Sequence, residues 1–348
     1  MVETVTPPTG SMPPGHSLSS LCDLCGDTTA YFCREESPEK LRTLVCSNCG
    51  LMYASPQPSP AEVDHLNLIN RGDQGSPTRS PSGLLSDRDL RAEEHFSDWA
   101  FKVIQRVVSV PGKSVLTLRC RSGSLSVRLV EQGANVCAID SYEANVRHAR
   151  EQRGLAATFL VPMSRFHDLV PPCGSPFDMV VGLNEHVLAH VMSPRLLLGR
   201  MFDLLKPGGH LFLEEKDVLL PAPHLDAFVL DSGQAHLFHL TLETTARYVR
   251  AAGFELIECE IDEDRISDYK HLRLVARKPE SAIASVKYPP IVLEAPGGKE
   301  TLRRVQILER ADRLKKRRRA MNVRARQLLK RIPGLRQAWH VAQRLWRH

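Results

Sequence analysis

The stretch from residue 114 to residue 140, SVLTLRCRSGSLSVRLVEQGANVCAID, constrains the fold of this chain more than any other. Its apolar start suits a buried parallel strand, Ser122 and Gly123 suit a tight turn, and Gly133 ends a helix with one apolar face. A second apolar run then ends at Asp140. This order predicts the first unit of a doubly wound sheet, in which the turn faces a nucleotide-like ligand and the acidic residue binds ribose hydroxyls.

Helical and extended patterns alternate on both sides of this unit. Helices are predicted at residues 87–109, 142–152, 194–205 and 241–252, and further strands at 157–161, 177–183, 210–214, 254–261 and 271–277. The connections between them are short. The alternation therefore predicts an α/β sheet with crossover helices.

Four cysteines near the amino terminus form a doubled pair. CDLCG contains Cys22 and Cys25, and CSNCG contains Cys46 and Cys49. Each pair can present two thiolates from one turn, and two such turns complete a tetrahedral zinc site. A redox pair and a chance grouping are the alternatives. Because sulfur fills all four positions, the pattern predicts a structural zinc ribbon over residues 21–55 with no open position for catalysis.

Composition separates the remaining segments. Residues 1–20 are rich in Pro, Ser, Gly and Thr and are predicted to be disordered, while residues 56–86 are predicted to be a linker or an irregular cap. Residues 299–348 contain 17 Lys and Arg against 3 Asp and Glu, a local charge of +14, which leaves −8 for the rest of the chain. We therefore expect residues 280–348 to form a linker and a separate basic helical tail.

The end of this tail has an amphipathic pattern. After Pro333 and Gly334, apolar residues recur at helical spacing: Leu335, Trp339, Ala342 and Trp346. Basic amphipathic helices bind anionic membranes, so an anionic membrane surface is the first partner predicted for residues 299–348. A helix packed on the acidic body, a solvated tail and nucleic acid are the alternatives; phosphate binding needs only the charge, but no nucleic-acid-reading motif accompanies it.

Two further patterns concern location. No apolar run approaches the roughly 18 residues that a bilayer span requires. The amino terminus also lacks the basic start and apolar core of a secretory signal. We expect a cytoplasmic protein with reduced thiols, and the basic tail adds a peripheral position at the inner face of the membrane.

The segments FDMVV, HVLAHV, LLKPGGHLFLE and AAGFELIE follow one another at the spacing found in class I S-adenosylmethionine-dependent methyltransferases. Residues 87–279 resemble that family, and the ribbon makes the chain similar to the branch that includes sugar C-methyltransferases. The resemblance implies a Rossmann-like, doubly wound sheet of seven strands and S-adenosylmethionine as methyl donor. It further implies a sugar, a glycan precursor or another small metabolite as acceptor.

The same resemblance assigns roles to individual residues. His190 and His236 match the family's active-site histidines, and a neutral imidazole can remove a proton from the attacking carbon or hydroxyl. His186 and His239 are nearby second choices. The residues implied in cofactor binding are Thr117, Cys120, Ser122, Gly123, Asp140 and Asn184.

The cofactor loop departs from the family pattern of an acidic residue, an apolar residue and Gly-Cys-Gly-x-Gly. Thr117 stands at the acidic position, and Arg119 and Arg121 stand where two glycines let the backbone approach the ligand. A cation at the middle glycine is expected to lie where the cofactor lies. The loop is therefore consistent with an altered, working pocket or with a non-catalytic binding or scaffold protein at a membrane. A nucleic-acid methyltransferase guided by ribbon and tail is a further alternative.

Overall fold

The computed structural model describes residues 4–5, 21–35, 42–70, 87–183, 186–220, 236–262, 271–280 and 297–329. Several predictions concern residues outside these ranges. They are the disorder of most of residues 1–20, the cofactor contact of Asn184, and the apolar helix face at residues 335–346.

Within the described ranges, strands and helices alternate along most of the chain. The strands are β1 (Thr4–Val5), β2 (Ala30–Glu35), β3 (Arg42–Cys46), β4 (Met52–Ser55), β5 (Ser114–Leu118), β6 (Asn135–Asp140), β7 (Thr158–Leu160), β8 (Phe177–Gly182), β9 (Leu205–Lys216), β10 (Phe238–His239), β11 (Glu255–Asp262) and β12 (His271–Arg277). The helices are α1 (Pro60–Asn70), α2 (Asp87–Val107), α3 (Ser124–Glu131), α4 (Glu143–Glu151), α5 (Val187–His190), α6 (Pro194–Leu204), α7 (Leu242–Ala251) and α8 (Gly298–Leu329), and a 3₁₀ helix covers Met163–Asp168.

The larger sheet has seven strands in the spatial order β11-β12-β9-β8-β5-β6-β7. The five strands β5 to β9 are parallel, and β12 and β11 add an antiparallel pair at one edge. Val115 and Leu116 are fully buried in separate apolar clusters, as expected for a strand covered on both faces. The chain order reverses on either side of β5, so the carboxyl ends of β5 and β8 form the switch point where ligands bind in such sheets. The predicted α/β architecture is confirmed, although β9 is longer than the predicted 210–214.

The smaller sheet belongs to the predicted ribbon. Its strand order is β1-β2-β3-β4-β10, and all neighbours are antiparallel. Strand β1 lies within residues 1–20, which were predicted to be disordered. The prediction is wrong for Thr4 and Val5, because these two residues pair with β2. Strand β10 comes from the larger domain, where it follows β9, and its pairing with β4 joins the two sheets. The ribbon is therefore attached to the larger domain through a shared strand.

Helix α1 differs from the predicted linker at residues 56–86. Its amino end is capped, since the Ser59 side chain and the Glu62 carboxylate exchange hydrogen bonds with each other's backbone N–H. Val63 is buried, and Asp64 accepts hydrogen bonds from the Ser164 N–H (2.9 Å) and Oγ (2.6 Å). The capping box is a local signal that the prediction overlooked in favour of the Pro and Ser content, whereas the contact with Ser164 joins residues 100 positions apart.

Helix α8 shows that the basic tail is not wholly separate from the body. Leu302 and Val305 are buried in a cluster with ribbon residues that include Val45 and Met52. At the start of the helix, the Gly298 N–H donates to the Ser47 carbonyl at 3.1 Å. The first turns therefore pack on the ribbon, which was one of the alternatives for this segment.

Cys137 on β6 and Cys173 are joined by a disulfide, with Cα atoms 6.0 Å apart. This differs from the expectation that all thiols are reduced. The two cysteines lie 36 residues apart, and only the folded sheet brings them together. As for the membrane, none of the helices in the described part of the chain combines the length and the apolar character needed to cross it.

Candidate active site

The loop after β5 keeps the backbone shape that its glycines would provide. Arg119 has a φ of 52°, Arg121 has a φ of 54°, and Gly123 has a φ of 88°. These values lie in the left-handed region, where an ordinary side chain costs roughly 1–2 kcal/mol per residue. The arginines therefore occupy glycine-like positions at an energetic cost that the surrounding contacts must offset.

Asp140 supplies part of that compensation. Its carboxylate, fully buried at the end of β6, accepts hydrogen bonds from the Arg121 N–H (2.9 Å), the Tyr142 N–H (2.9 Å) and the Asn145 Nδ2 (3.1 Å). A carboxylate offers about four acceptor positions, and the chain itself uses at least three of them. The residue predicted to bind ribose is thus in place, and it also holds the loop.

Glu93 on α2 holds the other side of the same loop. Its carboxylate accepts hydrogen bonds from the Ser122 N–H (3.1 Å) and Oγ (2.6 Å), and the Arg121 Nε lies 3.3 Å from its Oε2. The Arg121 guanidinium therefore turns toward α2, where a buried carboxylate balances its charge. Sequence reasoning missed Glu93, because a charged residue in a helix before the sheet carries no motif.

The remaining predicted cofactor residues have mixed surroundings. Thr117 is buried, and its hydroxyl is 2.9 Å from the Ser126 hydroxyl on α3. The Cys120 N–H donates to the Ile139 carbonyl at 3.0 Å, which ties the loop to β6. A Cβ at Gly123 would come within 2.6 Å of the Leu155 side chain, so packing requires this glycine.

Arg119 is the second cation of the loop, and its side chain is buried. Its positive charge counts among the groups that lower the pKa of His236 and oppose the raised pKa of Glu215. The charge of Arg119 is therefore close enough to His236 and Glu215 to influence the pKa of both groups.

The four candidate histidines lie together beyond the carboxyl ends of β8 and β9. The ring of His190, at the end of α5, is 4.6 Å from the ring of His236, measured between centroids. The rings of His186 and His239 are each 6.3 Å from that of His236. His186 also approaches the Glu214 carboxylate, with 3.2 Å between its Nδ1 and Oε1. The segments after β8 and β9 thus converge on one cluster.

A small cavity of about 20 Å³ opens inside this cluster. Polar and apolar side chains both line it: His186, Ala189, Glu215, Lys216, Val218, His236, Phe238, His239 and Leu240. The volume corresponds to about one water-sized group. His190 packs behind His236 and is not among the lining residues.

Burial lowers the pKa of His236 well below its ordinary value, and the nearby His186, His239, Lys216 and Arg119 lower it further. The imidazole is therefore neutral near pH 7. A neutral imidazole can accept a proton, which is the role that a general base requires.

Glu215 was not recognised from the sequence, although two consecutive acidic residues at the end of a buried strand are unusual. Only 1% of its surface is exposed, and its Oε1 accepts a hydrogen bond from the Leu188 N–H of α5 at 2.8 Å. Burial, followed by the charge of Glu214, raises the pKa of this carboxyl well above its usual range. Its surroundings thus favour the protonated, neutral form of this carboxyl at the cavity wall.

A second candidate site lies in the ribbon. The sulfur atoms of Cys22, Cys25, Cys46 and Cys49 all lie within 4.8 Å of one another. The Cys22 and Cys49 sulfurs are 3.4 Å apart, and those of Cys25 and Cys46 are 3.5 Å apart. Four thiolates at such separations can surround one ion at Zn–S distances near 2.3 Å.

Comparison with known proteins shows what the larger domain is similar to. Residues 91–259 match a family model described as a methyltransferase domain. A Xylella fastidiosa protein named ubiquinone biosynthesis O-methyltransferase is 36% identical over 112 residues, which cover 32% of this chain and 44% of that protein. A Ruegeria pomeroyi protein of the same name is 33% identical over 147 residues, covering 41% of this chain and 51% of its own length. The chain thus spans about half the length of these curated relatives.

Solved structures also resemble the chain. The Burkholderia thailandensis 1,6-didemethyltoxoflavin-N1-methyltransferase has a TM-score of 0.48 at 19% identity, covering 70% of this chain and 98% of its own. A Listeria monocytogenes structure described as an S-adenosylmethionine-dependent methyltransferase has a TM-score of 0.44 at 16% identity, covering 54% of this chain and 100% of its own. The family model and the curated relatives thus make residues 91–259 of this chain similar to a methyltransferase domain.

The low pKa of His236 predicts a pH dependence of stability. In the native state His236 stays neutral, whereas in the unfolded state it binds a proton below about pH 6.5. The contribution of His236 to the free energy of unfolding is therefore complete above that pH and is lost as the pH falls. Between pH 7.5 and 5.5 the wild type should lose more unfolding free energy than the variant His236→Gln, by up to about 1.4 kcal/mol. Urea denaturation at both pH values measures the difference, and equal losses in the two proteins would contradict a buried neutral imidazole.

Proposed function

We propose that this chain transfers a methyl group from S-adenosylmethionine to a hydroxyl group of a small molecule. The observation that carries the proposal is the position of two groups at the same edge of the sheet. Asp140 ends β6 beside the loop that follows β5, and the histidine cluster lies beyond β8 and β9. A methyl donor and an acceptor bound there would be neighbours.

The residues present fit the nucleoside half of the cofactor better than its amino-acid half. Asp140 would accept hydrogen bonds from ribose, and the turn at residues 119–123 keeps its glycine-like shape. Thr117 stands at the position of the acidic residue that would bind the ammonium group of the methionine part, so that contact is missing. We assign the carboxylate of the methionine part to Arg119. When bound, S-adenosylmethionine supplies an electrophilic methyl group on a sulfonium.

His236 is the residue that we assign to proton removal. Its neutral imidazole lines the cavity, whereas His190 packs against its ring and would fix its orientation. A positioned base of this kind contributes roughly 10²–10⁴-fold to rate. Alignment of acceptor and methyl group contributes at least as much.

The acceptor is proposed as a hydroxylated small molecule. The curated relatives are named as ubiquinone biosynthesis O-methyltransferases, which favours attack by oxygen. A sugar or a glycan precursor, the acceptor expected from the ribbon-containing branch, belongs to the same chemical class. Its methylation at carbon would use the same base on a carbon acid.

A non-catalytic scaffold is the second candidate, and the loop gives the observation in its favour. The Asp140 oxygens already bind the chain's own N–H groups, and a buried arginine replaces a glycine beside them. If the loop cannot release these bonds, the cofactor cannot bind.

Binding of S-adenosylhomocysteine, the demethylated product, distinguishes the two candidates. We expect isothermal titration calorimetry to detect micromolar binding to the wild type. Affinity should fall at least about tenfold in Asp140→Asn, because a ribose hydroxyl loses its charged acceptor. Asp203→Asn, at an exposed site on α6, should bind as the wild type does. Absence of binding at about millimolar ligand would refute the enzyme and leave the scaffold.

We also propose that the four ribbon cysteines hold one structural zinc ion. The support is the doubled CxxC spacing and the convergence of the four sulfurs. With four sulfur ligands, the ion would stabilise the ribbon and would not activate water.

Elemental analysis of the protein purified without chelators should give about one zinc per chain. Cys46→Ser should lose the metal and lower the melting temperature, because one ligand of four is removed. Cys259→Ser, outside the cluster, should keep it. A metal-free wild type, or full zinc retention in Cys46→Ser, would exclude this site.

For the tail we propose attachment to the anionic, cytoplasmic face of a membrane. Ile307, Leu314 and Met321 recur every seven residues on α8, and 54%, 55% and 62% of their surfaces are exposed. The sequence KKRRR at residues 315–319 lies in the same helix. Apolar side chains flanked by basic residues suit the headgroup region of such membranes.

Liposome flotation tests this attachment without disturbing the buried start of α8. The wild type should float with phosphatidylserine-containing vesicles and be released by high salt. The triple variant Ile307→Ser/Leu314→Ser/Met321→Ser should bind at least about tenfold more weakly, since it keeps the charges and loses the apolar contact. Equal flotation would exclude a membrane role, and equally tight binding of both proteins to a DNA duplex would point to nucleic acid.

A further inference from the structure

The most unusual polar group outside the cofactor loop is the second oxygen of Glu215. Its Oε1 is bonded to the Leu188 N–H, but its Oε2 is buried with no hydrogen-bond partner in the described part of the chain. Leaving such an atom unsatisfied costs roughly 1–3 kcal/mol. A native protein tolerates that cost where a ligand or an ordered water completes the bond.

The cavity supplies the place for that ligand. Glu215 lines it together with His186, His236 and His239, and its volume of about 20 Å³ accepts one oxygen-sized group. The remaining wall contains Lys216 and is otherwise apolar, with Phe238 and Leu240 among its side chains. A hydroxyl at the tip of an otherwise apolar molecule fits both the polar and the apolar part of this lining.

The charge state of Glu215 decides which kind of bond it offers. The charged and titratable groups that face it come from several elements: Glu214 and Lys216 on β9, His186 at the start of α5, His236 and His239 in the β10 segment, and Arg119 in the loop after β5. Burial and Glu214 raise its pKa more than the Leu188 N–H and Arg119 lower it. Burial therefore favours the protonated carboxyl, and because Oε1 accepts the Leu188 N–H, the proton of that form lies on Oε2.

We propose that Glu215 Oε2 binds the hydroxyl oxygen of the acceptor in this cavity, beside His236, so that the site selects small molecules with a hydroxyl group at an apolar tip. This inference rests on the proposed function and assigns the acceptor end of that site. Among the described residues that line the cavity, no other one has a buried oxygen without a hydrogen-bond partner.

The chemistry balances with the groups at hand. The acceptor O–H bond breaks and its proton goes to the His236 imidazole, while an oxygen lone pair forms the new bond to the sulfonium methyl. The carbon–sulfur bond breaks, and its electron pair stays on sulfur in S-adenosylhomocysteine. Glu215 keeps its proton throughout and donates a hydrogen bond to the oxygen as negative charge develops, the kind of stabilisation that a neutral buried acid can give.

Two substitutions separate this role from a packing role. Glu215→Gln keeps the shape and a neutral hydrogen-bond donor, whereas Glu215→Leu keeps the volume and removes the donor. We use 4-fluorocatechol as the hydroxylated probe and 4-fluoro-1,2-dimethoxybenzene as its matched control without hydroxyls. Fluorine NMR titration of the full chain gives the affinity for each.

The wild type and Glu215→Gln should bind the catechol with affinities within about threefold of each other, and Glu215→Leu should bind it at least about tenfold more weakly. The dimethoxy probe should bind all three proteins weakly and equally. Raising the pH should weaken catechol binding to the wild type more than to Glu215→Gln, because only the wild type loses its donor when the carboxyl ionises, while ionisation of the probe affects both proteins alike.

The proposal is overturned if the wild type does not bind the catechol, or if Glu215→Leu binds it as the wild type does. If Glu215→Leu does not fold, the pH profiles of the wild type and Glu215→Gln decide, and parallel profiles overturn it. Calorimetry with S-adenosylhomocysteine on the same samples reports on the proposed function separately. Product binding without catechol binding defeats only this inference, and catechol binding without product binding defeats only the methyltransferase.

Discussion

The hydrogen bond from the Arg121 N–H to the buried Asp140 carboxylate organises the cofactor side of this structure. A buried carboxylate is costly unless N–H groups surround it, and here the loop, the start of α4 and Asn145 provide them. The bond also holds Arg121 in a left-handed conformation, from which its side chain reaches Glu93. One carboxylate thus keeps a glycine-like turn in a loop that lacks two of the family's glycines.

The histidine cluster depends on the ribbon in a comparable way. Strand β10 follows β9 in the chain and pairs with β4 of the ribbon, which fixes the segment that carries His236 and His239. The Leu237 N–H also donates to the Ala189 carbonyl at 2.7 Å, so α5 and this segment are held together. The ribbon is therefore part of the framework of the histidine cluster. Helix α8 packs on the same ribbon, against side chains of its strands β2, β3 and β4.

The sequence predicted what depends on local pattern and did not predict what depends on remote contacts. Apolar periodicity located the strands and helices of the larger sheet to within a few residues, and the two histidine segments were placed correctly after β8 and β9. Helix α1, whose Asp64 binds Ser164, and the pairing of β10 with β4 depend on residues 100 or more positions apart. Glu93 looks like an ordinary surface acid in sequence, and Glu215 is marked only by its place beside Glu214 at the end of a buried strand; the fold buries both. The sequence shows that Arg119 and Arg121 replace glycines. It does not show that Glu93 is the charged partner of Arg121.

The central claim is that a loop held by Asp140 still binds a cofactor. A crystal structure determined with saturating S-adenosylhomocysteine tests it most directly. The account predicts ribose hydroxyls on the Asp140 carboxylate and the Arg119 side chain at the ligand's carboxylate, next to the cavity that Glu215 and His236 line. A ligand-free structure under those conditions, with Arg121 still bonded to Asp140 and Arg119 still buried beside the histidines, would contradict it.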